Sequence, residues 1–180
     1  MENRISKVNI SAAGGTAAQG SKTCKVTIPN AWLEQLGVTS EEREVVLSFD
    51  GESITLRKRL VGRAFAEVKA AMGHQVRKIS FFDEQMLCSV IYADFTDQTL
   101  TVENFVKNPV KTAFGNRKCP SWGDLQAFLE ERCIPKQRDG LQKYLQELRL
   151  DAYDPMTIIE KTEGRMAEDQ QWLRIEEVGL

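Results

Sequence analysis

The sequence is poor in the residues that staple small proteins or bind metals. Its four cysteines, Cys24, Cys88, Cys119 and Cys133, are spread over 180 residues with no Cys-x-x-Cys pair, and His74 is its only histidine. That is too sparse for a disulfide framework and leaves too few soft ligands for a zinc finger, so the thiols read as reduced and mostly as small packing groups. Apolar runs are short, as in Val45-Val46-Leu47, far below the ~20 residues that span a bilayer. The first residues lack the apolar stretch of a signal peptide, so a cytoplasmic location is expected. No nucleophile elbow, His-Glu-x-x-His pattern or zinc spacing occurs. The Gly14-Gly15 loop carries neither the dinucleotide-binding nor the Gly-Lys-Ser/Thr pattern. An enzyme is not expected, and no cofactor or metal is called for.

What is present is an ordinary globular composition, 42% hydrophobic and 28% charged, in a length that suits one medium domain or two small ones. The net charge of −2 conceals an asymmetry. The first 78 residues hold 12 Lys+Arg against 8 Asp+Glu, and the remaining 102 hold 12 against 18. A basic amino-terminal part joined to an acidic carboxy-terminal part predicts that one half faces a polyanion and the other does something else.

Three regions follow from the pattern: residues 1–59, a connecting helix over 60–78, and residues 79–180. In the first, residues 7–11 alternate polar and apolar and predict a strand. Residues 12–21, rich in Gly, Ala, Ser and Thr, form a flexible insert, and residues 23–28 alternate again, with Cys24, Val26 and Ile28 on one face. Pro29 stops that strand, and Asn30 is placed to cap a short helix over 31–36 that Gly37 ends. Residues 44–49 and 52–56 predict a hairpin around Asp50-Gly51, with Val45, Leu47, Phe49, Ile54 and Leu56 turned inward.

The stretch Lys25-Val26-Thr27-Ile28-Pro29-Asn30-Ala31-Trp32-Leu33-Glu34-Gln35-Leu36-Gly37-Val38, followed by Val45-Val46-Leu47-Ser48-Phe49-Asp50-Gly51-Glu52-Ser53-Ile54, resembles the AbrB/SpoVT-type swapped-hairpin domain over about a third of the chain. The resemblance implies an intertwined homodimer in which hairpins of two chains build one small β-barrel that binds DNA. Its implied dimer core is Val26, Ile28, Trp32, Leu36, Val45, Leu47 and Ile54. A ~55-residue copy buries too little apolar surface to stand comfortably alone, so dimerisation is also a physical expectation. The insert at 12–21 departs from the short family segment. Either an enlarged DNA-contacting loop or rearranged contacts would follow.

DNA contact at such a domain is chiefly phosphate neutralisation. Arg4, Lys7, Lys22 and Lys25 lie on or near the first two strands, Ser21 and Thr23 offer hydroxyl donors, and Arg57-Lys58-Arg59 closes the hairpin.

Beyond it, Val61, Phe65, Val68 and Met72 fall at helical spacing and predict the connecting helix, with His74 on the surface past its end. Residues 86–95 and 99–103 predict a β-hairpin turning at Thr96-Asp97-Gln98. Three helices follow. Ser121 caps the first, with Trp122, Leu125, Phe128, Leu129 and Cys133 apolar. Residues 137–149 form the second, with Leu141, Tyr144, Leu145 and Leu148 on its face. Pro155 opens the third, which carries Met156, Ile158 and Ile159 and ends at Gly164. The predicted class is α+β: an AbrB-like barrel dimer followed by a domain of one β-hairpin and three helices. Glu130, Glu131, Arg132, Arg138, Glu168 and Asp169 lack a nucleophile at a recognisable spacing and read as ion pairs between helices.

Residues 128–138, 153–155 and 164–172 resemble stretches of small phage and mobile-element proteins. Two functions are therefore expected to compete. One is a dimeric DNA-binding regulator of transcription in a mobile element, with an acidic partner-binding module. The other is an anti-CRISPR protein that inhibits a Cas9-type nuclease by presenting acidic surface to its nucleic-acid channel.

Overall fold

In the computed structural model, residues 2–14, 18 and 20–179 are described. Gly15 and much of the 12–21 insert lie outside them. The chain divides into two units, Met1–Arg59 and Leu60–Leu180. Both follow the local signals of the sequence, but in different ways.

The first unit is two separate antiparallel hairpins and one short helix. Strand β1 (Val8–Ala12) pairs with β2 (Lys22–Val26), placing Val8 opposite Val26 and Ile10 opposite Cys24. Helix α1 (Asn30–Gln35) follows. Asn30 is its first residue rather than its cap, because Pro29 already holds the extended φ and ψ of a capping position. The Asn30 amide instead donates to Glu34 one turn on, at 2.5 Å. Strand β3 (Val45–Phe49) pairs with β4 (Ile54–Lys58). Their turn is set by Asp50, whose carboxylate accepts from the backbone N–H of Glu52 (2.9 Å) and Ser53 (2.8 Å) and from the Ser53 hydroxyl (2.7 Å). These donors pull the Asp50 carboxyl down to about 2. No closed barrel forms among the described residues.

The second unit is built on a four-stranded antiparallel sheet, in the order β7 (Thr99–Asn104), β6 (Met86–Asp94), β5 (Val76–Asp83), β8 (Gln171–Glu177). One face carries helix α2 (Gly62–Ala71), and the other carries α3 (Trp122–Glu131), α4 (Leu141–Glu147) and α5 (Pro155–Thr162). The alternation of β5 and β6 sorts the core. Val76, Val90 and Tyr92 meet α2, whereas Ile79, Phe81, Ile91 and Ala93 meet Leu125, Phe128, Leu129, Leu145, Ile158 and Ile159.

The expectation of a β-hairpin plus three helices is therefore corrected. β5 and β8 complete a sheet, because the predicted hairpin could not cover both faces of its own apolar residues. The helix over 60–78 is also corrected, from a connector to a packed layer of the second unit. Its buried side is Phe65, Ala66 and Ala70, and Val61, Val68 and Met72 face solvent. Two alanines let the helix approach the sheet more closely than a stripe of large side chains would. At its start, Gly62 has φ +56° and lies where a Cβ would meet the Glu103 carboxylate at 2.0 Å, so a side chain there would strain the backbone and displace Glu103. The Ser121 cap and the Pro155 start of the sequence reading are both present. The second predicted helix is shorter than residues 137–149, because Gly140 sits at φ +82° before it. No helix among the described residues is long and apolar enough to cross a membrane.

Candidate nucleic-acid interface

The antiparallel register gives each amino-terminal hairpin two chemically distinct faces. In the first, Val8, Ile10, Cys24 and Val26 share one face, and Asn9, Ser11, Thr23 and Lys25 share the other. Lys25 and Thr23 are thus brought together among small hydrogen-bonding side chains. Lys22, three residues from Lys25, falls on the opposite face beside Ala12. Arg4 and Lys7 are exposed on the lead into β1, and Ser21 is half-buried, its carbonyl accepting from Ala13 N–H at 2.8 Å.

The second hairpin divides the same way. Val45, Leu47, Phe49, Ile54 and Leu56 share a face with Lys58, while Val46, Ser48, Thr55 and Arg57 share the other. The basic trio is split by its own carboxylates. Lys58 meets Glu42 at 2.5 Å and holds that carboxyl below its usual range, and Arg59 is paired with Glu44. Arg57 is exposed, with no carboxylate partner among the described residues.

What lies under these faces is as informative as what lies on them. Not one described residue among 2–59 is buried. Leu47 is 64% exposed, Phe49 71% and Ile54 72%, alongside Val8, Ile10, Val26 and Leu36. Ile28, Trp32 and Val45 are half-buried. Ile28, Leu33, Val38, Val45 and Leu56 line an open trough between α1 and the second hairpin. All seven side chains expected in a dimer core are therefore accessible in the single chain.

The second unit contains two polar centres, the first of them at a histidine expected on the surface. His74 is half-buried rather than on the surface. Its Nδ1 lies 2.8 Å from the fully buried Asp94, whose carboxylate also meets Lys69 Nζ at 3.0 Å and accepts from Thr96 N–H at 2.9 Å. Burial pushes the Asp94 carboxyl up, but the hydrogen bonds from His74, Lys69 and the turn outweigh it and leave it below its ordinary value. His74, Asp94 and Asp97 place three metal-capable atoms within 4.8 Å of one another. The Lys69 ammonium, shared by both carboxylates, already supplies the positive charge there. The cluster fastens the end of α2 to the β6–β7 turn. Spacing alone could not reveal it, since Asp94 lies 20 residues from His74.

Arg132 is the other centre. It is buried, grips both oxygens of Asp169 (2.6 and 3.0 Å), and donates to the carbonyls of Gly164 (3.0 Å) and Gln171 (2.8 Å). It ties the end of α3 to the segment entering β8. Of the charges expected to pair between helices, Arg132 with Asp169 does so from helix to loop, and Glu130 pairs with Lys136 at 2.7 Å. Glu131, Arg138 and Glu168 have no salt bridge among the described residues. Cys88 and Cys133 are buried, and Cys24 and Cys119 are exposed. Burial drives the Cys133 thiol up to about 12, well out of the reactive range.

Compared with protein-family models, with curated proteins and with solved structures, the chain matches none.

Proposed function

We propose that this chain is a homodimeric DNA-binding protein, a regulator of transcription in a mobile element, whose amino-terminal hairpins interlace with those of a second copy. The observation that carries the reading is that no described residue among 2–59 is buried. A two-stranded hairpin is at best marginally stable alone, and a unit of this size without a core, disulfide or metal does not pay the entropy of ordering its chain. The partner that matches two identical apolar hairpin faces is another pair of the same faces. Burying Val8, Ile10, Val26, Leu47, Phe49 and Ile54 in this way leaves the polar faces outside, with Lys25, Thr23 and Arg57 turned to solvent. These are the residue types that position a domain on phosphates.

The charges of the second unit favour this reading over direct inhibition of a Cas9-type nuclease. Many of its carboxylates are already engaged by its own bases: Asp83 by Lys111, Asp124 by Arg117, Asp169 by Arg132, Glu176 by Lys78 and Glu177 by Arg77. An acidic surface that competes for a basic channel needs its charges unpaired.

The test is a gel shift on genomic fragments with wild type, K25E and K25E/R57E, run beside light scattering. Loss of binding with the dimer intact supports the proposal. Undiminished binding by K25E/R57E, or a monomer that binds as well as the wild type, overturns it.

A further inference from the structure

The acidic carboxy-terminal unit has one stretch of the opposite character. Residues 104–118 contain Lys107, Lys111, Arg117 and Lys118 and no Asp or Glu, so a third of the basic residues found after position 78 sit in 15 positions. The structure folds this stretch around an open groove of about 340 Å³, whose lining includes Asn104, Lys107, Asn116, Arg117 and Lys118 and holds no carboxylate. Val102, Val106 and Pro109 provide its apolar part.

The groove is held in shape by internal ties. Asn104 accepts from the Ser89 hydroxyl at 2.7 Å, and that hydroxyl accepts from Ala113 N–H at 3.1 Å. The buried Thr112 donates its hydroxyl towards the carbonyls of Pro109 (2.8 Å) and Gly115 (3.0 Å), and Asn108 caps the turn between them by accepting from Val110 N–H at 3.1 Å. Lys111 and Arg117 are anchored outside the stretch, to Asp83 and Asp124. Lys107, Asn116 and Lys118 are exposed, and neither lysine has a carboxylate partner among the described residues. A preshaped groove with two uncommitted ammonium groups and amides, and no carboxylate in its lining, favours a phosphate-bearing ligand.

We propose that the 104–118 groove is a second DNA-backbone contact, so that duplex DNA is held by the carboxy-terminal unit as well as by the amino-terminal hairpins. The identification of DNA as the phosphate-bearing ligand rests on the proposed function above. The groove itself is an independent observation in a different unit. Since phosphate contacts carry no sequence information, the probe is a fluorescein-labelled 24-base-pair duplex of arbitrary sequence, titrated with full-length protein at several salt concentrations.

K107Q/K118Q removes two charges whose side chains stand in solvent, so its unfolding curve should overlay that of the wild type. Its duplex affinity should fall about tenfold or more at low salt, and its plot of log K against log salt should flatten by about 1.8 per chain. A second readout needs no variant. In acylation footprinting, Lys107 and Lys118 should be protected when duplex is added, while Lys161, outside the groove, keeps its reactivity.

Unchanged affinity and slope in K107Q/K118Q, with K25E/R57E disabled, overturns the groove and leaves the hairpin reading standing. Loss in K107Q/K118Q, with K25E/R57E unaffected, keeps the groove and removes the hairpins. Protection by single strands but not by duplex overturns the duplex assignment.

Discussion

Residues 2–59 and residues 60–179 are made of the same materials, short antiparallel strands joined by tight turns with helices between, yet among the described residues only the second set has buried side chains. In the second unit both faces of the central sheet meet helices. The sheet is covered by α2 on one side and by α3, α4 and α5 on the other, and Ile79, Ile91, Leu125 and Ile158 are fully buried. In the first unit the faces are equally well formed and the described residues meet nothing that covers them. Alternation of polar and apolar residues builds an amphipathic hairpin wherever it occurs. Whether that hairpin becomes part of a stable fold depends on what lies against it, and in the proposed dimer another copy supplies that layer for the amino-terminal unit.

The comparison breaks most sharply at a core leucine. Leu125→Ala, at a site with no exposure, should cost the second unit about 3–5 kcal/mol in urea unfolding. Leu47→Asp should leave that transition in place and abolish the dimer in sedimentation equilibrium. Equal damage to the second unit by both substitutions would mean that the two units share one cooperative core.

A smaller effect tests the Asp94 cluster. The folded protein holds this carboxyl below its ordinary value. The stability it contributes is therefore fully present above the unfolded value of about 3.9 and is lost as the pH falls below that towards the folded value. Asp94→Asn should cost about 2 kcal/mol at pH 7, and the gap from wild type should narrow as the pH falls below about 4. A gap that stays constant over that range would remove the charge from the explanation.

The same contrast governs what could be read from the residues alone. The two amino-terminal hairpins, α1, the Ser121 cap and the Pro155 helix start are written in local patterns a few residues long, and the structure contains them. The strands β5 and β8 escaped because their evidence is remote. β5 is bulged between Phe81 and Phe82, which interrupts its alternation, and its partner Leu173 lies 92 positions away. In α2 the large residues Val68 and Met72 misled, since small alanines make the contact. The expected DNA-contacting residues were recognisable as a set, but their division between faces, with Lys25 on one and Lys22 on the other, follows from register alone. The groove at 104–118 stayed hidden under a regional charge average that is negative.

The most direct test of the central claim uses the chain's own thiols. Cys24 lies opposite Ile10 on the apolar face of the first hairpin, exposed in the single chain, while Cys119 is exposed in the other unit. Labelling native protein with a maleimide and locating the adducts by mass spectrometry should show Cys119 reacting at one rate at every protein concentration. Cys24 should be increasingly protected as concentration rises and the dimer covers it. Equal reactivity of Cys24 and Cys119 up to the highest concentration would contradict the paired-hairpin account.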